Sequence, residues 1–417
     1  MRVAKLSRAV PAVLFFFGAL SALGARDLPR MPDWIAEADM PRPELSARSA
    51  VLVDYETGTV LYEKQADTVI PPASLTKVMT IHIVLELARD GEISLEETFE
   101  VPEAAWAQNM PPGSSLMFLG PGQRVTLAEL LEGLSVASGN DAAVAASLRV
   151  AGSVPAFVEM MNDESRRLGY ETMRFSDPAG LSSNNRITAR EYADFVSRHI
   201  TSWPEALEDI YSRRVIRYPT DENFDSVMIG GSVRQENRNT LLFDYEGVDG
   251  LKTGYTEASG YNLTATAERD GRRLIAVVLG VQAGSLIEGA RRRAEDAAEL
   301  LDYGFDEFRR IEPAAPELAP LRVWKGRADE VAVVPEGAPP AIIVPRGRED
   351  NVTMSVRAAE ELTAPVEPGR PVGAVSYRLG DSELARTELV TDARVRRAGF
   401  FKRLWHTIVL FAQRILA

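Results

Sequence analysis

The sequence contains no cysteine and only three histidines, His82, His199 and His406, among its 417 residues. A chain without cysteine has neither disulfides nor a thiolate metal site, so its fold depends on the hydrophobic core. The histidines do not pair at the spacing of zinc ligands, and none lies near a Gly-x-Ser-x-Gly turn. These absences argue against a zinc peptidase and a Ser-His-Asp hydrolase, and we expect neither a metal nor a cofactor.

Basic residues are outnumbered, because 47 Lys and Arg stand against 60 Asp and Glu, which gives a net charge of −13. A chain this acidic lacks the positive surface on which nucleic-acid binding depends, so we expect no nucleic acid as a partner. The charge is uneven, since residues 394–417 carry six Arg or Lys and no Asp or Glu.

An almost unbroken apolar run occupies residues 9–23, directly after the basic residues Arg2, Lys5 and Arg8. Small residues follow at the end of the run. This order predicts a secretory signal peptide over residues 1–24. The alternative is an uncleaved N-terminal anchor. In both cases the remainder of the protein is exported.

Composition and periodicity divide the rest of the chain into four segments. Residues 25–46 are rich in Pro and Asp without a clear period, which predicts an N-terminal arm or linker. Residues 47–306 carry strand and helix patterns and form the larger domain. Residues 307–395 carry short β-branched runs separated by turn residues, which predicts a small all-β domain. Residues 396–417 form a basic, amphipathic tail.

The larger domain has strand patterns at both ends and helical patterns between them. We predict strands at 49–55 and 58–63, helices at 74–88, 126–137, 141–150 and 154–168, strands at 248–252, 260–267 and 273–281, and a helix at 287–302. This order predicts an α/β (α+β) sandwich, in which an antiparallel sheet lies between helical layers.

The tail is amphipathic when its residues are placed on a helix at 100° per residue. From Phe400 onwards, ten apolar side chains fall on one half of the helix and the basic ones on the other, with Leu410 as the exception. Three cations interrupt the segment, so it does not suit a membrane-spanning helix. The pattern predicts a helix over 396–417 that lies on an anionic membrane surface. The alternative is a helix packed on the protein's own β domain.

Three short motifs follow one another in the chain: Ser74-Leu75-Thr76-Lys77, Ser138-Gly139-Asn140 and Lys252-Thr253-Gly254. Each motif alone has a purely structural explanation, as a helix cap, a turn or a strand end. Together and in this order they supply a serine nucleophile, a lysine one helical turn away, and a second lysine. These are the parts of an acyl-transfer site that works without histidine.

The chemistry explains why these residue types occur together. The Ser74 hydroxyl is a weak nucleophile until a base removes its proton, and Lys77 lies on the same helix face three residues later. A lysine base must be neutral, and burial or a neighbouring cation lowers its pKa; Lys252 is the candidate for that cation. A helix N-terminus at Ser74 would also favour a developing oxyanion.

The remaining motif residues have predicted roles in proton transfer and substrate binding. Ser138 would pass the proton towards the leaving amine, and Asn140 would hold either the substrate amide or Lys77. Lys252 and the Thr253 hydroxyl would bind a substrate carboxylate. Gly254 would let the substrate backbone approach the strand closely.

The sequence resembles the D-alanyl-D-alanine carboxypeptidases, which are low-molecular-mass penicillin-binding proteins of the serine β-lactamase and transpeptidase-like superfamily. Beyond the three motifs, the resemblance includes the blocks 175–181, 237–239, 248–256 and 258–263. It also includes the all-β segment with Val344-Pro345-Arg346-Gly347 and the amphipathic tail, so it covers essentially the whole chain after the leader.

The resemblance implies the fold of that superfamily, a serine peptidase domain over 47–306, and a role for each matching residue. Those roles are Ser74 as acyl-enzyme nucleophile, Lys77 as proton acceptor, Ser138 as active-site serine, Lys252 as substrate-binding residue, Arg238 as a contact of the terminal carboxylate, and the backbone N–H groups of Ser74 and Tyr255 as the oxyanion hole. Tyr255 stands where many relatives carry histidine, so substrate preference cannot be carried over at that position.

The resemblance also implies the substrate and the cellular location. We expect removal of the terminal D-alanine from peptidoglycan pentapeptide stems at the periplasmic face of the inner membrane, with β-lactams acylating the same serine. Alternatives are a D,D-endopeptidase on crosslinked peptidoglycan, a class A β-lactamase, and a penicillin-binding sensor or scaffold with a silent site. The sequence contains no Glu-x-x-Leu-Asn segment to supply a deacylating glutamate, which argues against a class A β-lactamase. The oligomeric state is not predicted.

Overall fold

The computed structural model describes residues 28–224 and 231–416 of the chain. The predicted signal peptide over 1–24 lies outside the described residues. Within them, the α-helices are α1 Asp33–Ala36, α2 Thr76–Arg89, α3 Leu127–Glu132, α4 Asn140–Ala151, α5 Val154–Arg167, α6 Ala189–Ser202, α7 Leu241–Asp244, α8 Leu286–Glu307 and α9 Phe400–Leu416.

The strands of the described residues fall into an N-terminal and a C-terminal group. They are β1 Ser49–Asp54, β2 Val60–Lys64, β3 Thr98–Glu100, β4 Arg124–Thr126, β5 Val215–Tyr218, β6 Val233–Glu236, β7 Val248–Thr256, β8 Gly260–Arg269, β9 Arg272–Val281, β10 Phe308–Ile311, β11 Leu321–Trp324, β12 Glu330–Val331, β13 Val333–Pro335, β14 Ile342–Pro345, β15 Val352–Ala358, β16 Glu361–Thr363, β17 Pro371–Leu379 and β18 Ser382–Thr391.

A five-stranded antiparallel sheet forms the centre of the larger domain, in the order β2-β1-β9-β8-β7. Successive side chains of a strand point to opposite faces. Accordingly, Val51 and Val277 belong to an apolar cluster on one face, with residues of α2 and α6. Leu52 and Val278 belong to a second cluster on the other face, with residues of α8. Helices on both faces explain why β1 and β9 are buried along their whole length.

The predicted sandwich is confirmed, with differences at particular elements. The helix predicted over 126–137 is divided into α3 and a π-helical turn at Gly133–Ala137. A side chain at Gly133 would collide with Met117 Sδ, because its Cβ would lie 2.2 Å from that atom. Helix α6 was not predicted, and β7 continues beyond residue 252 to Thr256. The Lys252-Thr253-Gly254 motif therefore lies inside a strand and not at its end.

The N-terminal arm contacts the larger domain through its backbone and through buried apolar side chains. Ile35 of α1 and Leu45 are buried in the cluster that includes α8. Lys64 Nζ donates to the carbonyl of Leu45 at 2.6 Å. The Asp296 carboxylate on α8 accepts from the N–H groups of residues 46 and 47. The predicted boundaries of the arm and of the domains stay predictions.

The C-terminal strands form an all-β unit with its own core. Three of its sheets are β10-β14, β12-β11-β16 and β13-β18-β17-β15, and their inward side chains include Val323, Val344, Val375 and Leu389. Most of the predicted β-branched runs lie on β13, β14, β15 and β17, whereas β11, β16 and β18 were not predicted.

Helix α9 follows this unit and contacts it with its polar face. Lys402 Nζ lies 2.8 Å from the Asp329 carboxylate, and His406 Nδ1 accepts from the backbone N–H of Lys325 at 2.8 Å. The His406 ring also packs edge-on against Trp324. The large apolar residues on the other side are 47–83% exposed, namely Phe400, Phe401, Leu404, Trp405, Ile408 and Phe411.

In the part of the chain that the structure describes, no single helix combines the length and the apolar composition that a membrane crossing requires. Helices α4 and α5 satisfy both conditions only when taken together, and they are bent by 85° relative to each other.

Candidate active site

Ser74 lies in a 3-10 turn at Ala73–Leu75 that leads directly into α2. The preceding prolines cannot donate a backbone hydrogen bond, which favours a break in secondary structure at this point. Ala73 has a φ of +50°, and Gly180 packs against it so closely that a Cβ at Gly180 would lie 1.8 Å from the Ala73 carbonyl oxygen. The helix thus begins at Thr76, two residues later than the sequence predicted.

Lys77 is fully buried below this turn, and its amino group meets three oxygen atoms. Lys77 Nζ lies 2.9 Å from Ser74 Oγ, 2.8 Å from Asn140 Oδ1 and 2.7 Å from the carbonyl oxygen of Ala179. Burial, which disfavours the charged amine, lowers the pKa of Lys77 to about 7. A lysine in this state can accept a proton at neutral pH.

Electrostatic neighbours modify the effect of burial on Lys77. Asp177 and Asp141 raise its pKa, and Arg238 lowers it. The predicted second cation, Lys252, is also fully buried, and its own pKa is lowered first by burial and then by Lys77. The neighbouring cation that lowers the pKa of Lys77 is therefore Arg238 and not the predicted Lys252, whose own pKa responds to Lys77. The sequence did not predict the part that Arg238 plays here.

The second motif forms the wall beside Lys77. Ser138 is buried, with a φ of +58°, at the end of the π-helical turn. Asn140 begins α4 and contacts Lys77, which is one of the two partners predicted for it. The adjacent Asp141 carboxylate accepts from the backbone N–H groups of residues 117, 118 and 119, which fixes the loop in front of α4.

Strand β7 forms the opposite wall and passes very close to the nucleophile turn. A Cβ at Gly254 would lie 2.8 Å from the Pro72 carbonyl oxygen and 3.1 Å from Ser74 N. Only glycine therefore fits at this position without displacing the turn. Thr253 is buried, whereas Tyr255 is 44% exposed and stacks on Tyr261 with 4.2 Å between ring centroids.

Arg293 is a site residue that the sequence did not indicate. It lies on α8, is buried, and its guanidinium donates to the carbonyl oxygens of Gly254 and Arg238. Burial lowers its pKa to about 10. Among the ion pairs of residues 28–224 and 231–416, none involves Lys77, Lys252, Arg238 or Arg293. Although burial lowers the pKa of both lysines, Arg293 with a pKa of about 10 stays charged at neutral pH, so the site keeps a positive charge that suits a carboxylate.

A separate cavity of about 950 Å³ lies at the far end of α2, lined by residues that include Leu85, Arg89, Trp203 and Arg213. None of the predicted site residues lines it. The chemistry of the three motifs is thus located in the cleft between α2, α4 and β7 and not in this cavity.

Comparison with known proteins agrees with the geometry. Residues 36–283 match the family model described as D-alanyl-D-alanine carboxypeptidase. The D-alanyl-D-alanine carboxypeptidase DacC of Escherichia coli is 35% identical over 382 residues, which cover 90% of both chains. The chain belongs to the D-alanyl-D-alanine carboxypeptidase family. It is therefore a peptidase, and the prediction made from its motifs is confirmed.

The other matches extend this assignment beyond the peptidase domain. Residues 315–397 match the C-terminal domain of penicillin-binding protein 5. The solved structure of penicillin-binding protein 5 from Haemophilus influenzae has a TM-score of 0.73 and 32% identity, and covers 86% of this carboxypeptidase and 100% of its own chain. Penicillin-binding protein D2 from Listeria monocytogenes in its cefotaxime-bound form has a TM-score of 0.55 and 30% identity, covering 64% and 100%. These matches favour a carboxypeptidase over the class A β-lactamase alternative.

Proposed function

We propose that this carboxypeptidase removes the terminal D-alanine from peptidoglycan stem peptides through an acyl-enzyme on Ser74. The observation that carries the assignment is the contact of 2.9 Å between Ser74 Oγ and a fully buried Lys77 whose pKa is lowered to about 7. An accessible hydroxyl beside a lysine that is partly neutral at neutral pH is an activated nucleophile. Burying a lysine is unfavourable because its charged amine loses hydration, and a scaffold with a silent site would gain nothing from it.

The acylation step follows from this pair. Ser74 Oγ attacks the carbonyl carbon of the penultimate D-alanine while its proton passes to Lys77 Nζ. The carbonyl oxygen becomes an oxyanion, for which the N–H groups of Ser74 and Tyr255 are the proposed donors. As the intermediate collapses, the C–N bond breaks and the departing amine takes the proton through the Ser138 hydroxyl. Water then hydrolyses the ester and returns Ser74 to its starting state.

Substrate recognition depends on the positive side of the cleft. The terminal carboxylate of the stem would bind Lys252 and Thr253, with Arg238 close by. No acidic side chain pairs with Lys252 or Arg238 among the described residues, so an incoming carboxylate meets little competition. A β-lactam carries a carboxylate beside its reactive amide and fits the same arrangement. The cefotaxime-bound form of the Listeria relative supports this proposal.

The decisive experiment is the substitution Ser74→Ala, compared with the unchanged protein. We expect it to abolish both covalent labelling by fluorescent penicillin and release of D-alanine from pentapeptide, with the fold retained, because the nucleophile forms the covalent bond. Mass spectrometry of the labelled protein locates the adduct. Labelling that survives the substitution, or an adduct on another residue, would contradict the proposal. A parallel assay on crosslinked dimers measures endopeptidase activity.

We further propose that the protein is exported and held at the periplasmic face of the inner membrane by α9. The leader over 1–24 supports export. The exposed aromatic and aliphatic face of α9 supports membrane contact, since such a face in water is unfavourable. The polar face of α9 packs on the β domain, which supports the interpretation of a helix packed within the protein. Its apolar face points away from the β domain, which supports the interpretation of a helix on a membrane surface.

A further inference from the structure

Asn262 is a fully buried amide on β8 whose contacts join three segments of the chain. Its Nδ2 lies 3.0 Å from the Pro72 carbonyl oxygen, 3.3 Å from the Pro71 carbonyl oxygen and 2.6 Å from Ser259 Oγ. Its Oδ1 accepts from the N–H of Gly280 at 2.8 Å. Ser259 Oγ in turn donates to the Pro71 carbonyl oxygen. We call Ser259 and Asn262 the amide clamp.

The clamp binds the segment that immediately precedes the nucleophile. The Pro72 carbonyl oxygen accepts from Asn262 and also from the N–H of Leu75, which closes the 3-10 turn around Ser74. Neither proline can donate a backbone hydrogen bond, so this segment cannot join the sheet as a strand. The side chains of the clamp therefore connect β8 to the turn, in place of the backbone hydrogen bonds that would join two neighbouring strands.

The amide clamp lies directly beside the part of β7 that passes the nucleophile turn. Asn262 is the cross-strand partner of Gly254, which has no side chain to block its path to the turn. The same Pro72 oxygen that Asn262 binds would lie 2.8 Å from a Cβ at Gly254. A bulge on β9 accompanies this geometry, because Tyr261 pairs with Val281 but Leu263 pairs with Val278. Bulges near active sites commonly redirect one side chain.

We propose that the amide clamp is a positioning device that sets the distance between the Ser74 N–H and the Tyr255 N–H. The inference rests on the proposed function, in which these two groups stabilise the oxyanion. Ser74 N moves with the turn, and Tyr255 N moves with β7. The clamp joins the turn to the strand beside β7, so its loss would let the two donors separate. Asn262 and Ser259 touch no substrate atom in this scheme.

The test uses the full-length protein and measures both acylation rate and donor geometry. In Ser259→Ala and Asn262→Ala we expect acylation by fluorescent penicillin to slow by about tenfold or more, since a misplacement of about 1 Å can cost roughly a hundredfold. The acyl carbonyl stretch in the infrared difference spectrum should move to higher frequency, because weaker oxyanion hydrogen bonds polarise the carbonyl less. Ser259→Thr keeps the hydroxyl and should restore both values.

A matched control is Asn223→Ala. Asn223 is also buried and donates to a backbone carbonyl and a carboxylate, but next to β4 and α3. We expect its loss to change neither the acylation rate nor the carbonyl frequency. Loss of stability alone would not shift that frequency in the folded fraction.

The outcomes separate the clamp from the proposed function. If the unchanged protein does not form an adduct on Ser74, the proposed function is wrong. If it does, and folded Ser259→Ala acylates at the unchanged rate with an unchanged carbonyl frequency, the clamp inference is wrong. Ser259→Ala decides the matter even if Asn262→Ala fails to fold, because it removes one hydroxyl and leaves the amide in place.

Discussion

Replacing Lys77 by arginine keeps a positive charge beside Ser74 but removes the ability to accept its proton. Arginine stays protonated throughout the accessible pH range. A second variant, Lys77→Met, removes the charge and keeps a side chain of similar length. If Lys77 acts as the base, both variants should lose acylation together. If it acted only as a cation that stabilises the oxyanion, arginine would rescue the rate and methionine would not.

The magnitude follows from the environment of Lys77. Its pKa is lowered from 10.5 to about 7, chiefly by burial. At pH 7 about half of the amine is then neutral, against roughly one molecule in 3,000 for an ordinary lysine. The lowered pKa corresponds to a free energy of deprotonation that is smaller by roughly 5 kcal/mol. A positioned general base commonly contributes a factor of about 10² to 10⁴. We therefore expect the acylation rate of both variants to decrease by a factor of at least about 10².

The pH dependence gives an independent measurement on the unchanged enzyme. The neutral amine is the active form, so the second-order rate constant of acylation by penicillin should fall about tenfold per unit below pH 7 and level off above it. Because Arg238 lowers the pKa of Lys77, Arg238→Gln should raise that pKa and move the acid limb to higher pH. A rate that does not change between pH 5 and 8, or Lys77→Arg with more than about a tenth of the original rate, would refute the reasoning.

Two further predictions concern substrate binding and location. Lys252→Ala should impair carboxylated peptides most and partly spare a C-terminally amidated analogue, because Lys252 mainly binds the carboxylate; equal losses in kcat/KM for both would argue against that role. Truncation after Val395 should release the enzyme from anionic liposomes in a co-sedimentation assay with nearly unchanged turnover on small peptides, because no proposed catalytic residue lies beyond Arg293. If full-length protein stays in the supernatant, or the truncated form pellets equally, α9 is not an anchor.

Local spacing was enough to predict the centre of the site. Lys77 follows Ser74 by three positions, and the helical geometry that this spacing implies places their side chains in contact. The order of the three motifs predicted a common site, and Asn140 meets Lys77 as one of its two predicted partners. Short apolar runs bounded by turn residues predicted the strands of the central sheet, and β1 and β9 show no polar alternation because helices cover both faces of that sheet.

Features that depend on long-range contacts could not be predicted in this way. The carbonyl of Ala179 binds Lys77 from 102 residues away, and Arg293 reaches Gly254 across 39 residues. Tyr192, on the unpredicted helix α6, donates to the Leu75 carbonyl oxygen across 117 residues. No periodicity or motif marks these pairs, because a backbone carbonyl can occur at any residue and the contact depends on the completed fold. The amide clamp belongs to the same class.

The tail shows how a correct pattern can carry an incomplete explanation. Helical arithmetic separated its apolar and polar faces, and the basic face was assigned to anionic lipid. In the structure Lys402 and His406 use that face to bind the loop around Lys325–Asp329, so these two side chains are engaged within the protein. The same contacts direct the aromatic face away from the β domain. Membrane attachment would therefore depend more on burial of the exposed apolar side chains, at roughly 25 cal/mol per Å², than on attraction of the whole basic face to lipid charge.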